Sequence, residues 1–397
     1  MSSTLFNASA SMLGYIYQIR YALLLCLKRL PDVSDPDECN ISIEKLDDVA
    51  FDRDGTPEEL LQTKCHITPG NLTDRSPDIW KTIRIWIALY QSGEIALGSV
   101  ILTLVTTQAL PVGSLAYLLG FGNGRDVATA KSLMDVISFE NNETNQQGYE
   151  AYKALTDAEK NLLLDSIRVI GNSNNLLSIR DMMIPIARMS VPAVAANAFV
   201  GRLEGEWFKW CIEALIKTPA GIINLGDLQS LIDQLRPEYS LTNLPPEFSD
   251  AIPSVVDAVN DDRVFVAQLK LFNAPPRMIQ HAIINYYRAF EQRNKWHLDG
   301  LLNPGELGSY DRRLSESWSE RLSYLEAQRA QEAEENKNKF ALELYQHCQE
   351  NGVIPIRRDF IEAYLSKGSY HLLADRLDIG WHPEYGTLLV ASNEGAA

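Results

Sequence analysis

Two runs of alternating apolar and polar residues, joined through Asp54-Gly55, restrict this chain more than anything else in it. Alternation with a period of two belongs to half-buried strands, and Asp-Gly supplies the positive φ of a tight hairpin turn. A chain built around this hairpin cannot be all-helical, although most of its remaining text has helical period. In Asn40–Phe51 the odd positions Ile41, Ile43, Val49 and Phe51 are apolar, while Ser42, Glu44 and Asp48 at even positions are polar. Lys45, Leu46 and Asp47 break the pattern and predict a bend or bulge in the strand. In the return run, Glu59–Ile67, the odd positions hold Leu61, Cys65 and Ile67 and the even ones Gln62, Lys64 and His66. If odd positions face the core on both strands, paired indices sum to an even number. Asp48 then lies opposite Gln62 and Leu46 opposite Lys64, and Glu44, Asp48, Gln62 and Lys64 share one face. The same parity sends Asp47 to the odd, apolar face. A two-residue turn, or a bulge before Asp48, would reverse that preference.

Around the hairpin, Ser9–Leu30 reads as a helix closed by Pro31. Ser76-Pro77 is an N-cap and first-turn pair for a helix to about Tyr90, and Val100–Thr106 reads as a further strand. The expectation is an α–β–β–α–β unit. Ile95 to Gly124 carries no charge, but Thr103, Thr106, Thr107, Gln108 and Pro111 interrupt it. A buried strand followed by a Pro-broken loop is expected there, not a membrane span. From about Ser114 the period is helical, with helices predicted over Glu150–Ile170, Ser178–Ile184, Ala195–Ile216, Asp227–Leu235, Val264–Phe272, Pro276–Gln292 and Asp311–Gln349. Pro237, Pro245, Pro246 and Pro253 mark a connection between an earlier and a later helical layer. The chain is read as two domains, 1–218 and 219–397.

Composition narrows the partners. Lys and Arg number 36 against 52 Asp and Glu, a formal net charge of −16, which excludes a standing basic coat for nucleic acid. Five scattered cysteines contain no CxxC pair, so neither a zinc knuckle nor a disulfide framework is expected. Without a signal-peptide pattern, the expected location is cytoplasmic. The shared polar face suits phosphodiester hydrolysis. Asp48, with Glu44 or a nearby carbonyl, offers hard oxygen ligands to Mg²⁺ or Mn²⁺, which would acidify water and polarise a phosphoryl oxygen. Lys64 would orient the attacking water or neutralise developing charge. On spacing alone, a solvated strand face is the favoured account of the same residues.

A resemblance enters at these residues. Gly14-Tyr15-Ile16-Tyr17-Gln18 with Tyr21, Ser42-Ile43-Glu44, Asp47-Asp48-Val49, Leu61-Gln62-Thr63-Lys64 and Ser76-Pro77-Asp78-Ile79-Trp80-Lys81-Thr82 together resemble the Cap-type double-stranded DNA nuclease domain of the PD-(D/E)xK superfamily. The resemblance implies an α+β, restriction-endonuclease-like N-terminal domain, a small mixed sheet flanked by helices, ahead of a mostly α-helical C-terminal region. It places Asp48 as the metal-binding aspartate, Gln62 at the D/E position as a further ligand, Lys64 as the motif lysine and Gln18 as the helix-one glutamine. Gln62 departs from the general pattern, since an amide is a weaker oxygen ligand than a carboxylate. Val264–Lys270, Tyr286-Tyr287-Arg288-Ala289, Trp296, Gly368–Asp375 and Gly380-Trp381-His382-Pro383 resemble C-terminal domains of ABC-ATPase three-component defence systems. A nuclease joined to such a tail is similar to the effector component of Lamassu anti-phage and anti-plasmid defence systems. That family implies double-stranded DNA as substrate and, as partners, an SMC-like ABC ATPase with a third component. It also implies a homo-oligomer, a tetramer, as the active form.

Two other classes compete: a helical scaffold with a degenerate nuclease-like unit that binds an ATPase partner, and a sequence-specific restriction enzyme. No recognition-helix or zinc-finger pattern supports base reading. Gly120–Arg125 lacks the GK[ST] and strand–turn–helix context of a phosphate loop and reads as a plain loop. His371, His382 and Asp375 lack zinc spacing and read as packing, as do Trp207, Phe208 and Trp210. Lys81 and Arg84 are candidate phosphate contacts or simply surface residues, and His66 is a phosphate contact or an edge residue.

Overall fold

A computed structural model describes residues 8–66, 68, 70–217, 221–329 and 335–387. The chain divides into two compact units, Met1–Ser190 with Phe199–Gln234, and Val191–Ala198 with Leu235–Ala397. Residues 221–234 thus belong with the first unit, later than the boundary expected at 218/219. The cause is a short strand after 220 that joins the N-terminal sheet.

The first unit carries α1 (Ala8–Arg29), β1 (Cys39–Ile43), β2 (Val49–Arg53), β3 (Thr56–Lys64), α2 (Pro77–Gln91), β4 (Ile101–Thr106), α3 (Leu115–Leu118), α4 (Val127–Ile137), α5 (Gln146–Lys153), α6 (Asp157–Ser166), β5 (Ile167–Ile170) and α7 (Leu176–Ala187). They are followed by most of α8 (Ala196–Leu215), β6 (Ile222–Asn224) and α9 (Leu225–Leu235). The strands form one mixed sheet in the order β5-β4-β3-β2-β1-β6. β5, β4 and β3 are mutually parallel, whereas β3, β2, β1 and β6 alternate antiparallel. The expected mixed sheet flanked by helices, with a mostly helical region after it, is the observed fold class.

The run read as one strand over Asn40–Phe51 is two strands. β1 pairs antiparallel with β2, Ile43 opposite Val49, and residues 44–48 form the loop between them. Lys45, Leu46 and Asp47 break the alternation because the chain reverses there. The unit is therefore α–β–β–β–α–β, and the return strand runs over Thr56–Lys64, not Glu59–Ile67. Ile67 itself lies outside the described residues.

The Asp54-Gly55 turn holds two residues, with φ of 49° and 80°, and pairs Arg53 with Thr56. Alone it would set an odd register. A bulge follows, because Asp52 pairs with Pro57 but Phe51 pairs with Glu59, leaving Glu58 over. Both Arg29 and Arg53 hold the Glu58 carboxylate. The extra residue restores even parity, so Val49 faces Leu61 and Ala50 faces Leu60.

Both faces of the sheet are covered, so strand residues of either parity are buried. Even residues Ala50, Leu60, Leu102 and Leu104 pack with Ile79, Trp80, Ile83, Trp86 and Ile87 of α2 and with Tyr149 and Tyr152 of α5. Trp80 meets Tyr149 edge-on at 4.5 Å between ring centroids, and Gly148 lets α5 approach, since a Cβ there would lie 2.7 Å from the Trp80 carbonyl oxygen. On the odd face the Arg29 guanidinium of α1 lies over the Phe51 ring. α1 is fastened by Tyr17 to Ser173 and by Trp207, whose indole donates to the Ile19 carbonyl.

The helix predicted over Glu150–Ile170 is three elements. Thr156 and Glu159 form a reciprocal capping box that starts a new helix at Asp157. Ile167–Ile170 then leaves helical geometry to become β5 beside β4. Pro185 does not stop α7, which runs two residues beyond it. In the second unit, α10 (Val264–Leu271), α11 (Pro276–Leu298), α12 (Glu306–Arg329), α13 (Glu335–Glu350) and α14 (Ala363–Asp375) pack around Phe265, Trp296, Tyr310, Tyr370 and Trp381. The single helix expected over Asp311–Gln349 is α12 and α13, with 330–334 outside the described residues. Gly368 permits the close crossing of α14 on α11, because a Cβ there would overlap the Asn285 carbonyl oxygen.

Candidate active site

A cleft of about 440 Å³ in the first unit is lined by residues from α1, the 44–48 loop, β3 and α2. Gln18, Glu44, Asp48, Gln62 and Lys64 all line it, so the structure brings these five residues together. Gly14, Tyr15, Lys45, Leu46, Asp47, Thr63, Lys81 and Ile85 complete the wall.

Each element has a local reason for its place. Gln62 and Lys64 project from one face of β3 by their i, i+2 spacing, and Gln62 is buried at 4% exposure. β2 begins at Val49, so the backbone N–H of Thr63 has no strand residue opposite it. The Asp48 carboxylate takes that place: Oδ2 accepts from Thr63 N at 2.7 Å and from Thr63 Oγ1 at 2.9 Å. Glu44 adopts a left-handed conformation, φ 55°, and donates its N–H to the Asp48 carbonyl at 3.2 Å. The loop thereby closes with both carboxylates at the end of the sheet.

Strand parity does not extend through this loop. Asp47, expected on the odd face, turns instead toward α2. Its Oδ2 accepts from the Trp86 indole at 2.6 Å and its Oδ1 from the Asp48 N–H at 2.9 Å. Asp47 thus has both oxygens engaged inside the protein, whereas Asp48, held through Oδ2 by Thr63, lines the cleft. Burial pushes the Asp47 carboxyl up to about 7, with the Asp48 charge adding to the rise and the Trp86 hydrogen bond opposing it. Burial and the adjacent Asp48 also raise Glu44, against a hydrogen bond from Gln18 and the Lys64 ammonium. Burial is the larger cause of both shifts, and the Asp48 charge adds to each.

The donor set is hard: two carboxylates, Glu44 and Asp48, and two carboxamides, Gln18 and Gln62. Gln18 is 8% exposed, and its Oε1 is buried without a hydrogen-bond partner. An orphaned oxygen beside two carboxylates fits an oxygen-seeking divalent cation better than a closed structural network. No cluster of three His, Cys, Asp or Glu that could hold a metal occurs among the described residues, so amide oxygens or water must complete any coordination here.

The remaining candidates separate clearly. Lys81 lines the cleft, whereas Arg84 turns away to the Gln147 carboxamide. His66 is tied to Asp78 at the start of α2, 2.7 Å away. Tyr21 stacks on Tyr17 inside the protein. Arg125, beside the Gly120–Gly124 loop, donates to the carbonyls of Leu119, Ile167, Leu164 and Asp165, so that loop holds the chain together. In the second unit His371 and Trp381 are wholly buried, and Asp375 accepts from the Phe265 N–H and the Tyr286 hydroxyl. Lys45 is the cleft cation that sequence reasoning passed over. Its only signal was its position in the stretch where alternation fails. No helix among the described residues is long and apolar enough to cross a membrane.

No curated protein matches the chain. Two solved structures of Acinetobacter baumannii Cap4, a SAVED/CARF-domain containing receptor, are similar to it. The form with the cyclic trinucleotide 3'3'3'-cAAA is 13% identical, over 70% of this chain and 58% of that one, with a TM-score of 0.33. The form with 2'3'3'-cAAA is 13% identical, over 74% and 67%, with a TM-score of 0.31. The chain spans less than two thirds of the first of these, and both are described as receptors, not as nucleases. At such scores the likeness carries no argument about architecture or activity. Residues 265–389 match the family model CTD7, C-terminal domain 7 of the ABC-three component (ABC-3C) systems. That match supports the chain as a component of an ABC-3C system.

Proposed function

We propose that this chain is the DNA-cutting effector of an ABC-3C defence system, a metal-dependent endonuclease acting on double-stranded DNA. The observation that carries the reading is the convergence of Gln18, Glu44, Asp48, Gln62 and Lys64 from α1, the 44–48 loop and β3 on one cleft. A solvated strand face needs no such convergence.

Asp48, Glu44 and the amide oxygens of Gln62 and Gln18 would hold Mg²⁺ or Mn²⁺, which when bound supplies an acidified water and polarises the phosphoryl oxygen. Thr63 holds the Asp48 carboxylate through its N–H and its hydroxyl, so the group is fixed before substrate arrives. Lys64 makes no ion pair among the described residues. Its ammonium can therefore orient the attacking water or meet charge developing on the phosphate. Gln62, neutral where a carboxylate would add repulsion, limits negative charge against the incoming phosphodiester.

The proposed partners are an SMC-like ABC ATPase and a third component. They hold the effector inactive until it is released to assemble as a homo-oligomer. The net charge of −16 accords with a chain that has little affinity for DNA until cation and assembly are supplied. The test incubates the purified homo-oligomer with plasmid and Mg²⁺, beside Lys64→Ala. Cleavage by wild type and its loss in the variant are expected. A variant that cuts as well as wild type would sink the mechanism, and discrete fragments would indicate a sequence-reading enzyme.

A further inference from the structure

Three ammonium groups reach the cleft from three separate elements: Lys45 from the loop between β1 and β2, Lys64 from β3 and Lys81 from α2. None of them forms an ion pair among the described residues, although Glu44 and Asp48 line the same cleft. Neighbouring cations of the first unit are engaged elsewhere. Arg20 pairs with Glu204, Arg53 with Glu58, Arg75 with Glu140, and Arg84 bonds Gln147. In a chain with so large an acidic excess, three lysines around one carboxylate pair concentrate positive charge at the cleft.

Their placement differs from that of Lys64. Lys64 is half-buried on the strand that carries Gln62, whereas Lys45 and Lys81 are exposed, one on the loop and one on the helix. Lys81 stands one turn before Ile85, which lines the cleft from the same face of α2. An exposed ammonium beside a hydrolytic centre is poorly suited to proton transfer or water positioning and well suited to a solvated phosphate.

We propose that Lys45 and Lys81 bind the phosphates flanking the scissile one. One strand of a duplex would then run from the β1–β2 loop, across Gln62 and Lys64, to α2. This rests on the nuclease reading above and deepens it by separating the phosphate contacts that position the strand from the groups that cut it. The contacts are to backbone phosphates, so they carry no base preference.

The test measures binding of a short blunt duplex to the full-length chain by fluorescence anisotropy across a salt series, with Ca²⁺ replacing Mg²⁺. Each of Lys45→Gln and Lys81→Gln should lower the slope of log K against log[salt] by about 0.9 and weaken binding about eightfold at 0.1 M salt. The loss should be equal for duplexes of unrelated sequence. Arg84→Gln should match wild type in both slope and affinity. A wild-type chain that cuts duplex while both lysine variants keep its slope overturns the proposal and leaves the nuclease reading intact. A wild-type homo-oligomer that neither binds nor cuts duplex overturns both.

Discussion

The two units place polar residues of similar chemistry in different surroundings. In the first, carboxylates, amides and lysines gather where a sheet ends and line an open cleft, with the Gln18 amide oxygen left without a protein partner. In the second, residues of equal chemical interest are absorbed by packing. His371 lies between Phe265, Tyr345 and Trp381, at ring-centroid distances of 5.2, 5.8 and 6.2 Å. Gln268 donates to the Ala374 and Ile379 carbonyls, and Gln292 accepts from Tyr364 and two backbone N–H groups. Residue type therefore says little about chemistry until exposure and partners are known. An amide in a cleft is a candidate ligand, whereas one bonded to main-chain groups is a joint between helices.

Four measurements break or sharpen this contrast. The largest effect is expected in the cleft. Lys64→Ala should lower the cleavage rate by about 10²–10³-fold while leaving the melting temperature within a degree or two, because the side chain is only half-buried and unpaired. A comparable loss of stability would make Lys64 a structural residue and erase the contrast.

Next is Gly368→Ala, where the added carbon meets the Asn285 carbonyl oxygen across the α11–α14 crossing. Destabilisation of about 3 kcal/mol by chemical denaturation is expected, from overpacking that backbone must relieve. A neutral result would show that the two helices have room between them.

His371 then provides a pH test. Burial, aided by the Arg263 charge, lowers its pKa from the ordinary value to about 3. The folded unit keeps the ring neutral while the unfolded chain protonates it below about 6.5, so stability is intact above that pH and declines beneath it. The slope is about 1.4 kcal/mol per pH unit from this group. Denaturation between pH 7.5 and 5.5 should show the decline in wild type and its reduction in His371→Phe, which keeps the aromatic contacts. Equal slopes would mean that the ring finds a proton acceptor in the fold. The smallest effect is Thr156→Ala, about 1 kcal/mol from the lost capping box, read from the same denaturation curves.

Much of the site was legible in the sequence, and the errors have definite causes. The hairpin register survived, although the turn has the two residues that should have reversed it, because the Glu58 bulge compensates. Nothing in local spacing announces that bulge. The ion pairs to Glu58 from Arg29 and Arg53 mark it, and the Arg29 side chain arrives from another element. The break at Lys45–Asp47 is visible in the sequence, but periodicity shows that a strand is interrupted without showing whether it reverses. β5 was hidden because Ile167–Ile170 continues a helical apolar pattern. Only the vacancy beside β4 makes strand geometry worth more than another helical turn there.

Alternation, the Asp-Gly turn and the i, i+2 spacing of Gln62 and Lys64 determined by themselves that a hairpin would form and that these two side chains would share a face. Such local features depend on backbone sterics and on burying one side of a strand, and both are set by adjacent residues. The identity of the acid that faces the cleft was decided only in three dimensions, where Trp86 draws Asp47 inward and Thr63 holds Asp48 at the sheet's end. So was the arrival of Gln18 from α1 and Lys81 from α2. Burying both faces of the sheet brings these helices to the cleft, and that hydrophobic demand acts between segments far apart in the chain.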